Sequence, residues 1–365
     1  MHFLLIFSAS LSWLLSALAL ANLHTMLRPA KLRASVVLAN VEVLIPARNE
    51  VENIGQCVES ALAQAGISNL IVTVLDDAST DGTSEVVGQI SDDRLHLLVG
   101  TEDLPTGWLG KPWACARLAA QSTADYLVFI DADVKLAPNA ISSSIELLES
   151  SNMAFISPYP KQETTTLLTR LVQPLLQWSW LNTVPLKFAQ KTQRKSLAVA
   201  NGQFIVCRRA DYLLAGGHES VQNEVLDDIM LLRSFYENGL TGTVADGTSV
   251  ATCLMYKNDR ELIAGYSKSL WQAFNGAVGS VVTNIFLLTV YTLPLVGLAT
   301  SNWPIALVAI AGATYGRFIV AVRMGQRKFP EVFTHSIAIA VFAGLNVLSW
   351  LRHFKGTNSW KGRAL

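Results

Sequence analysis

Residues 126–133 read YLVFIDAD: Tyr126, Leu127, Val128, Phe129 and Ile130 form an apolar run, and Asp131 and Asp133 follow it one residue apart. Such a run, bounded by polar residues, predicts a short buried strand. Two carboxylates just past a strand end repel each other unless a cation sits beside them. An all-oxygen pair of this kind suits Mg2+ or Mn2+, which also bridge to diphosphates. A D-x-D pattern recurs by chance in many proteins, so its position after the strand carries the weight.

Upstream the pattern repeats. Residues 41–45 (VEVLI) end at Pro46, and a helical pattern follows through Ile54, Val58, Ala61 and Leu62. Residues 71–75 (IVTVL) predict a second strand, then a turn-rich stretch and a helix from about Thr83. Residues 95–99 predict a third strand, and 113–120 a helix. Strands alternating with helices predict an α/β fold with a mostly parallel sheet covered on both faces. Ligands of such sheets bind outside the carboxyl ends of the strands. No internal repeat or low-complexity tract interrupts the pattern.

Polar clusters sit at those ends. IPARNE (45–50) contains Pro46, Arg48 and Glu50, and by itself reads equally as a helix cap supplied by Asn49. LDDASTDGT (75–83) contains Asp76 and Asp77 where nothing local requires two carboxylates, whereas Asp81-Gly82 reads as a turn and Thr83 as a cap. Farther on, Asp227 and Asp228 precede an apolar helix, a place where the helix dipole alone favours acidic residues.

Composition places this domain in context. The 365 residues carry 28 Lys and Arg against 28 Asp and Glu, a net charge of zero. Only 15% are charged, against roughly 25% in ordinary soluble domains, and mean hydropathy is +0.34. Low charge with 51% hydrophobic residues excludes a disordered chain. The absence of a basic excess argues against nucleic acid as a partner. The deficit is concentrated: residues 3–23 hold no charge, 269–316 hold no ionisable side chain except tyrosine, and 332–351 hold only His335 besides. About 20 apolar residues span a bilayer core, so each block is long enough to cross. Pro294 and residues 301–304 (SNWP) predict two spans within the long block, near 278–298 and 304–322.

The expected organisation is an N-terminal anchor (1–27), an α/β domain (34–267) and a C-terminal membrane region (268–365). Ala17-Leu18-Ala19 looks like a signal cleavage site, but no Lys or Arg precedes the apolar stretch, which is longer than a usual signal core. An uncleaved anchor is expected. Arg28, Lys31 and Arg33 follow it and, by the positive-inside rule, put the domain in the cytoplasm. A full span at 332–351 would then place Arg352, Lys355, Lys361 and Arg363 outside, so that segment reads as re-entrant, interfacial or an exception to the rule. The scattered Cys57, Cys115, Cys207 and Cys253 make neither a zinc site nor a disulfide framework.

The strings IPARNE, VLDDASTDGT, GKPWA and FIDAD, in that order, resemble a family 2 glycosyltransferase with the GT-A fold, over about residues 40–245. The resemblance implies that Pro46, Arg48 and Glu50 line a nucleotide pocket, and that one of Asp76 and Asp77 contacts the base while the other supports the loop. It puts Lys111 near the donor and Asp131 and Asp133 on a metal-bound diphosphate, Asp133 as the more direct ligand of Mg2+ or Mn2+. The family's acidic pair, often T-E-D-x-x-L, falls on residues 226–231, where Leu226 and Asp227 depart from it and Asp228 and Leu231 match. The catalytic base therefore falls on Asp228, beside Asp227. His218, without a metal partner, reads as structural.

The Q-x-x-R-W pattern of processive members is absent, which argues against a polymer synthase. GWLGKPWAC (107–115), NGQ (201–203), GYSK (265–268) and WKGR (360–363) resemble instead the carotenoid- and hopanoid-associated branch. The implied reaction is inverting transfer of a sugar from a nucleotide-diphosphate sugar to a membrane lipid, by an integral protein of the plasma membrane with a cytoplasmic catalytic domain. Trp178 and Trp180 are candidates for an interfacial lip, or for domain core. A polyprenyl-phosphate sugar synthase and a non-catalytic scaffold are the rival readings; no G-x-G-x-x-R-like loop supports a nucleotidyltransferase.

Overall fold

The computed structural model describes residues 1–30, 36–100, 104–274, 276–357, 359–360 and 363–364. Lys31, Arg33 and Lys361, three of the cations used in the topology reading, lie outside the described residues. The chain forms two compact units: residues 26–161 with 188–254, and residues 1–25 with 162–187 and 255–365.

The first unit is built on a seven-stranded mixed sheet. Its strands run in the order Leu95–Val99, Ile67–Asp76, Val37–Ala47, Tyr126–Ile130, Phe204–Arg208, Phe155–Tyr159, Gly242–Asp246. The first four are mutually parallel. Phe204–Arg208 runs antiparallel to both of its neighbours. Burial on both faces explains the continuous apolar runs. Val43, Ile45, Val72, Val74, Val128 and Ile130 pack on one side with the helix Ile54–Leu62. Leu44, Leu75, Leu127 and Phe129 pack on the other with the helix Gly110–Gln121.

The direction of the strands decides where the chemistry lies. Val37–Ala47, Ile67–Asp76 and Tyr126–Ile130 all end at one edge, with Ala47 beside Asp76. Because Phe204–Arg208 runs the other way, Phe204 pairs with Ile130 and residues 201–203 arrive at that same edge. Arg28, read from sequence as a membrane flank, donates from Nε to Asp246 Oδ2 at 2.9 Å within this unit.

Among the described residues the second unit contains four helices long and apolar enough to cross a membrane: His2–Thr25, Gly276–Gly297, Trp303–Arg323 and Glu331–Phe354. The second holds a π turn at Leu288–Thr292 just before Pro294. The last, for which a re-entrant or interfacial path was also expected, contains an unbroken α-helix over His335–Phe354. Trp178 is 2% exposed, its ring packed on Tyr291 and His335, so it forms core and no surface lip. Residues 162–187, inside the expected 34–267 segment, pack with the helices.

His2–Thr25 and Trp303–Arg323 pack through small residues, as apolar helices do where lipid supplies no hydrophobic drive. Ser12 Oγ donates to Ala309 O at 3.1 Å and Ser16 Oγ to Gly312 O at 2.8 Å. A Cβ on Gly312 would come 2.6 Å from Ser12 Oγ. Gly312→Val should therefore destabilise the helix pair by about 1–3 kcal/mol, the usual cost of overpacking. Thermal unfolding in detergent checks this, and adding Ser12→Gly should recover part of the loss.

Candidate active site

Two loops at the strand ends are laced together. Asn49 N donates to Ser79 Oγ at 2.9 Å, Glu50 N to Thr83 Oγ1 at 2.9 Å and Val51 N to Asp81 Oδ2 at 3.0 Å. Asn49 adopts φ 53°, a conformation Asn tolerates better than most residues, and its Oδ1 accepts from Thr80 N at 2.9 Å. The expected helix cap at Asn49 is thus replaced by a bond to the neighbouring loop, and Asn53 precedes the helix. Arg48 Nη1 donates to the carbonyls of Asp77 and, at 3.3 Å, Ala78. Glu50 Oε2 accepts from Asn53 Nδ2 at 2.9 Å. Pro46, paired with Leu75, is half-buried between the buried Ile45 and Ala47.

Asp76 and Asp77 have different surroundings. Asp76 spends both oxygens on its own loop, accepting from Ser79 N at 2.8 Å and from Ser84 Oγ. Asp77 Oδ1 lies 3.7 Å from Arg117 Nη1. Arg117 in turn lies over the Trp113 ring, which packs edge-on against Trp108.

A second cluster gathers acidic residues around one cation. Lys111, in the first turn of its helix, pairs with Asp131 Oδ1 at 2.5 Å and approaches Gly202 O at 3.4 Å. Against the opposing effect of burial, the Asp131 and Asp227 carboxylates raise its pKa. Asp133 Oδ1 is buried with no hydrogen-bond partner among the described residues. Burial, then the Asp131 and Glu50 carboxylates, push the Asp133 carboxyl up to about 7. Such an unsatisfied carboxylate oxygen beside a second carboxylate fits a divalent cation. Among the described residues no group of three or more His, Cys, Asp or Glu forms a complete cage. Mg2+ is commonly held by one or two carboxylates together with substrate phosphates.

Asp228 is the second residue of the helix Asp227–Glu237. Its Oδ2 accepts from Gly202 N and its Oδ1 from its neighbour Ile229 N, both at 2.8 Å. Burial, then the Asp227 carboxylate, push Asp228 up to about 6. His218 Nε2 stands 4.0 Å from Asp227 Oδ2, while Nδ1 meets Tyr212 OH at 2.9 Å. Burial, reinforced by Lys111, pushes His218 down to about 3, so it is a neutral packing residue against Phe129.

The structure therefore brings Lys111, Asp131, Asp133, Asp227 and Asp228 together, and joins Arg48 and Glu50 to the Asp76 and Asp77 loop. It adds residues 201–203, noted in the sequence only as a branch string. Gln203 O accepts from Asp131 N at 3.1 Å, and Gln203 Nε2 donates to Cys253 Sγ at 3.0 Å. A Cβ on Gly202 would lie 3.0 Å from Lys111 Nζ and 3.4 Å from Asp228 Cβ, so a larger residue there would have to shift the tip of Lys111. A glycine two residues before an apolar strand was the available signal.

Comparison with known proteins agrees with this architecture. Residues 42–213 match the family model described as Glycosyl transferase family 2. A 4,4'-diaponeurosporenoate glycosyltransferase of Staphylococcus haemolyticus is 26% identical over 304 residues, 80% of this chain and 76% of the relative. One from Staphylococcus aureus is 23% identical over 337 residues, 89% of this chain and 88% of the relative. Among solved structures, the mannosyltransferase PcManGT from Pyrobaculum calidifontis, in complex with GDP-Man and Mn2+, superposes with a TM-score of 0.54 at 17% identity, covering 96% of this chain and 99% of that one. At that identity the likeness speaks for the GT-A fold.

His218 yields a pH test of the packing. Its folded pKa of about 3 lies below an unfolded value near 6.5. Below pH 6.5 the unfolded chain takes up a proton that the folded one refuses, so stability falls as pH drops toward 3. The loss attributable to His218 should reach about 2 kcal/mol at pH 5. Thermal unfolding at pH 7.5 and 5.0 should show a smaller pH dependence in His218→Gln than in the wild type.

Proposed function

The chain is a glycosyltransferase with a family 2 domain, and we propose that it transfers a sugar, with inversion, from a nucleotide-diphosphate sugar to a carotenoid-type membrane lipid. The observation that carries the reading is the convergence of Asp131, Asp133 and Asp228 around Lys111 at one sheet edge. The carotenoid-type acceptor is taken from relatives named for diaponeurosporenoate that align along most of their length. Four candidate spans agree with an acceptor that stays in the bilayer.

The proposed donor site uses the laced loops. Pro46, Arg48 and Glu50 line the nucleotide pocket, Asp77 faces the base, and Asp76 holds the loop through Ser79 and Ser84. The acceptor oxygen bonds to the anomeric carbon as the anomeric carbon–phosphate oxygen bond breaks, and the nucleoside diphosphate leaves with the bonding pair. Lys111 is the side-chain cation placed to meet the growing negative charge. Asp133 and Asp131 are the residues that would hold Mg2+ or Mn2+, which when bound neutralises diphosphate charge. With a hydroxyl acceptor Asp228 takes its proton, oriented by the Gly202 and Ile229 N–H groups. With a carboxylate acceptor no proton moves, and Asp228 and Asp227 act through position and charge. Nucleotide sugars are made in the cytoplasm, so the catalytic domain is assigned to the cytoplasmic side of the plasma membrane, in keeping with Arg28, Lys31 and Arg33.

Membranes carrying the protein, incubated with labelled UDP- and GDP-sugars and extracted lipids, should yield a glycosylated carotenoid-type lipid by mass spectrometry. Labelled polyprenyl phosphate instead, or no labelled lipid at all, would refute the assignment. For a hydroxyl acceptor, Asp228→Asn should lower kcat by about 10²- to 10⁴-fold, and wild-type kcat/KM should fall about tenfold per pH unit below about 6, as the base becomes protonated. With a carboxylate acceptor Asp228→Asn should cost less, since no proton has to be taken from the acceptor.

A further inference from the structure

Asp131 and Asp133 are held in different ways. Lys111 restrains Asp131 by pairing with its Oδ1. Asp133 leaves Oδ1 without a hydrogen-bond partner among the described residues, while its carboxylate hydrogen-bonds to the Cys253 thiol. The backbone dictates that meeting. Ala251–Cys253 runs antiparallel to Val134–Leu136, and Cys253 stands opposite Val134, the residue after Asp133.

The thiol is fixed in its turn. Gln203 Nε2 donates to Cys253 Sγ at 3.0 Å, and the Gln203 carbonyl accepts from Asp131 N at 3.1 Å. A thiol has one proton to give, and with its sulfur accepting from Gln203 that proton is left for the Asp133 carboxylate. Gln203 and Cys253 are both buried, away from water that could replace either bond. The other thiol at this edge differs: Cys57 Sγ meets the backbone carbonyl of Asp131 at 3.5 Å. Cys57 and Cys253 are each 1% exposed and belong to the same apolar core.

A carboxylate that offers one oxygen to a cation still turns about its Cβ–Cγ bond unless a hydrogen bond stops it. Outer partners of this kind orient metal ligands and tune metal affinity. We propose that Cys253, braced by Gln203, is a positioning residue that holds the Asp133 carboxylate so that Oδ1 is free for a divalent cation. The inference rests on the donor-site reading, in which Asp133 and Asp131 would hold Mg2+ or Mn2+. It adds to that reading a residue that none of the sequence motifs contains.

The test is a titration of MnCl2 into the full-length protein in detergent, with UDP or GDP present, whichever binds more tightly. Free Mn2+ is read from its electron paramagnetic resonance signal. Cys253→Ala should weaken Mn2+ by about 10- to 100-fold and leave nucleotide affinity without metal at the wild-type value. Cys253→Ser, which keeps a donor, should recover most of the loss. Cys57→Ala removes a thiol of the same size from the same core and should bind Mn2+ like the wild type. Gln203→Met should weaken Mn2+ in the same direction, and adding it to Cys253→Ala should cost little more, because the two residues act through one contact. Melting temperatures without ligand show which variants fold, and Gln203→Met carries the test where Cys253→Ala does not. Wild-type Mn2+ affinity in Cys253→Ala overturns the proposal. So does an equal loss in Cys57→Ala, which would mark the effect as core packing. Asp133→Asn separates the proposal from the reading beneath it. Loss of Mn2+ in Asp133→Asn with wild-type binding in Cys253→Ala sinks the positioning role alone. Mn2+ binding that survives Asp133→Asn, or that the wild type lacks, sinks the metal-site reading and the proposal with it.

Discussion

Carboxylate repulsion at one sheet edge is the constraint around which this molecule is organised. Asp131, Asp133, Asp227 and Asp228 converge on a region where Lys111 supplies the cation, pairing directly with Asp131. Asp133 and Asp228 respond to the crowding by rising well above the ordinary carboxylate range, because each is buried beside another acid. A folded chain keeps such an arrangement at a cost in stability. The proposed binding of a cation together with a diphosphate would explain why the cost is tolerated.

The surrounding fold serves that edge. Parallel strands bring Ala47, Asp76 and Ile130 to the same side, and the one strand antiparallel to its neighbours returns Gly202 to it. Gly202 then works from both faces of its backbone: its N–H donates to Asp228 and its carbonyl lies toward Lys111. The helical unit solves a different problem, packing apolar helices without help from water. It does so with serine and glycine contacts between its first and third candidate spans. Arg317, buried with its Nη1 unpartnered among the described residues, departs from that economy.

What could be read in advance follows from how local the physics is. The strand Tyr126–Ile130 was legible to its ends because a strand buried on both faces must be apolar throughout. The strand Val37–Ala47 runs well beyond its apolar centre, and its buried Glu42 accepts a hydrogen bond from Thr73 on the neighbouring strand. The acidic positions stood out because nothing local required them. Asn49 and Gly202 were less legible, since their partners Thr80, Asp228 and Lys111 come from other segments. Trp178 was open to two readings because an aromatic at a membrane surface and one in a helical core look alike in sequence. Arg317 passed unnoticed inside an apolar block, because its meaning depends on which neighbours fail to satisfy it.

The central claim is that the strand-end acids hold a metal-bound nucleoside diphosphate. Isothermal titration of the full-length protein with UDP and with GDP, in the presence and absence of Mn2+, addresses it most directly. The account predicts that Mn2+ tightens binding of at least one of the two by about tenfold or more, and that Asp133→Asn removes that gain while its melting temperature without ligand stays close to the wild-type value. Affinity for both nucleotides that is indifferent to Mn2+ in the wild type, or a gain that survives in Asp133→Asn, would contradict it.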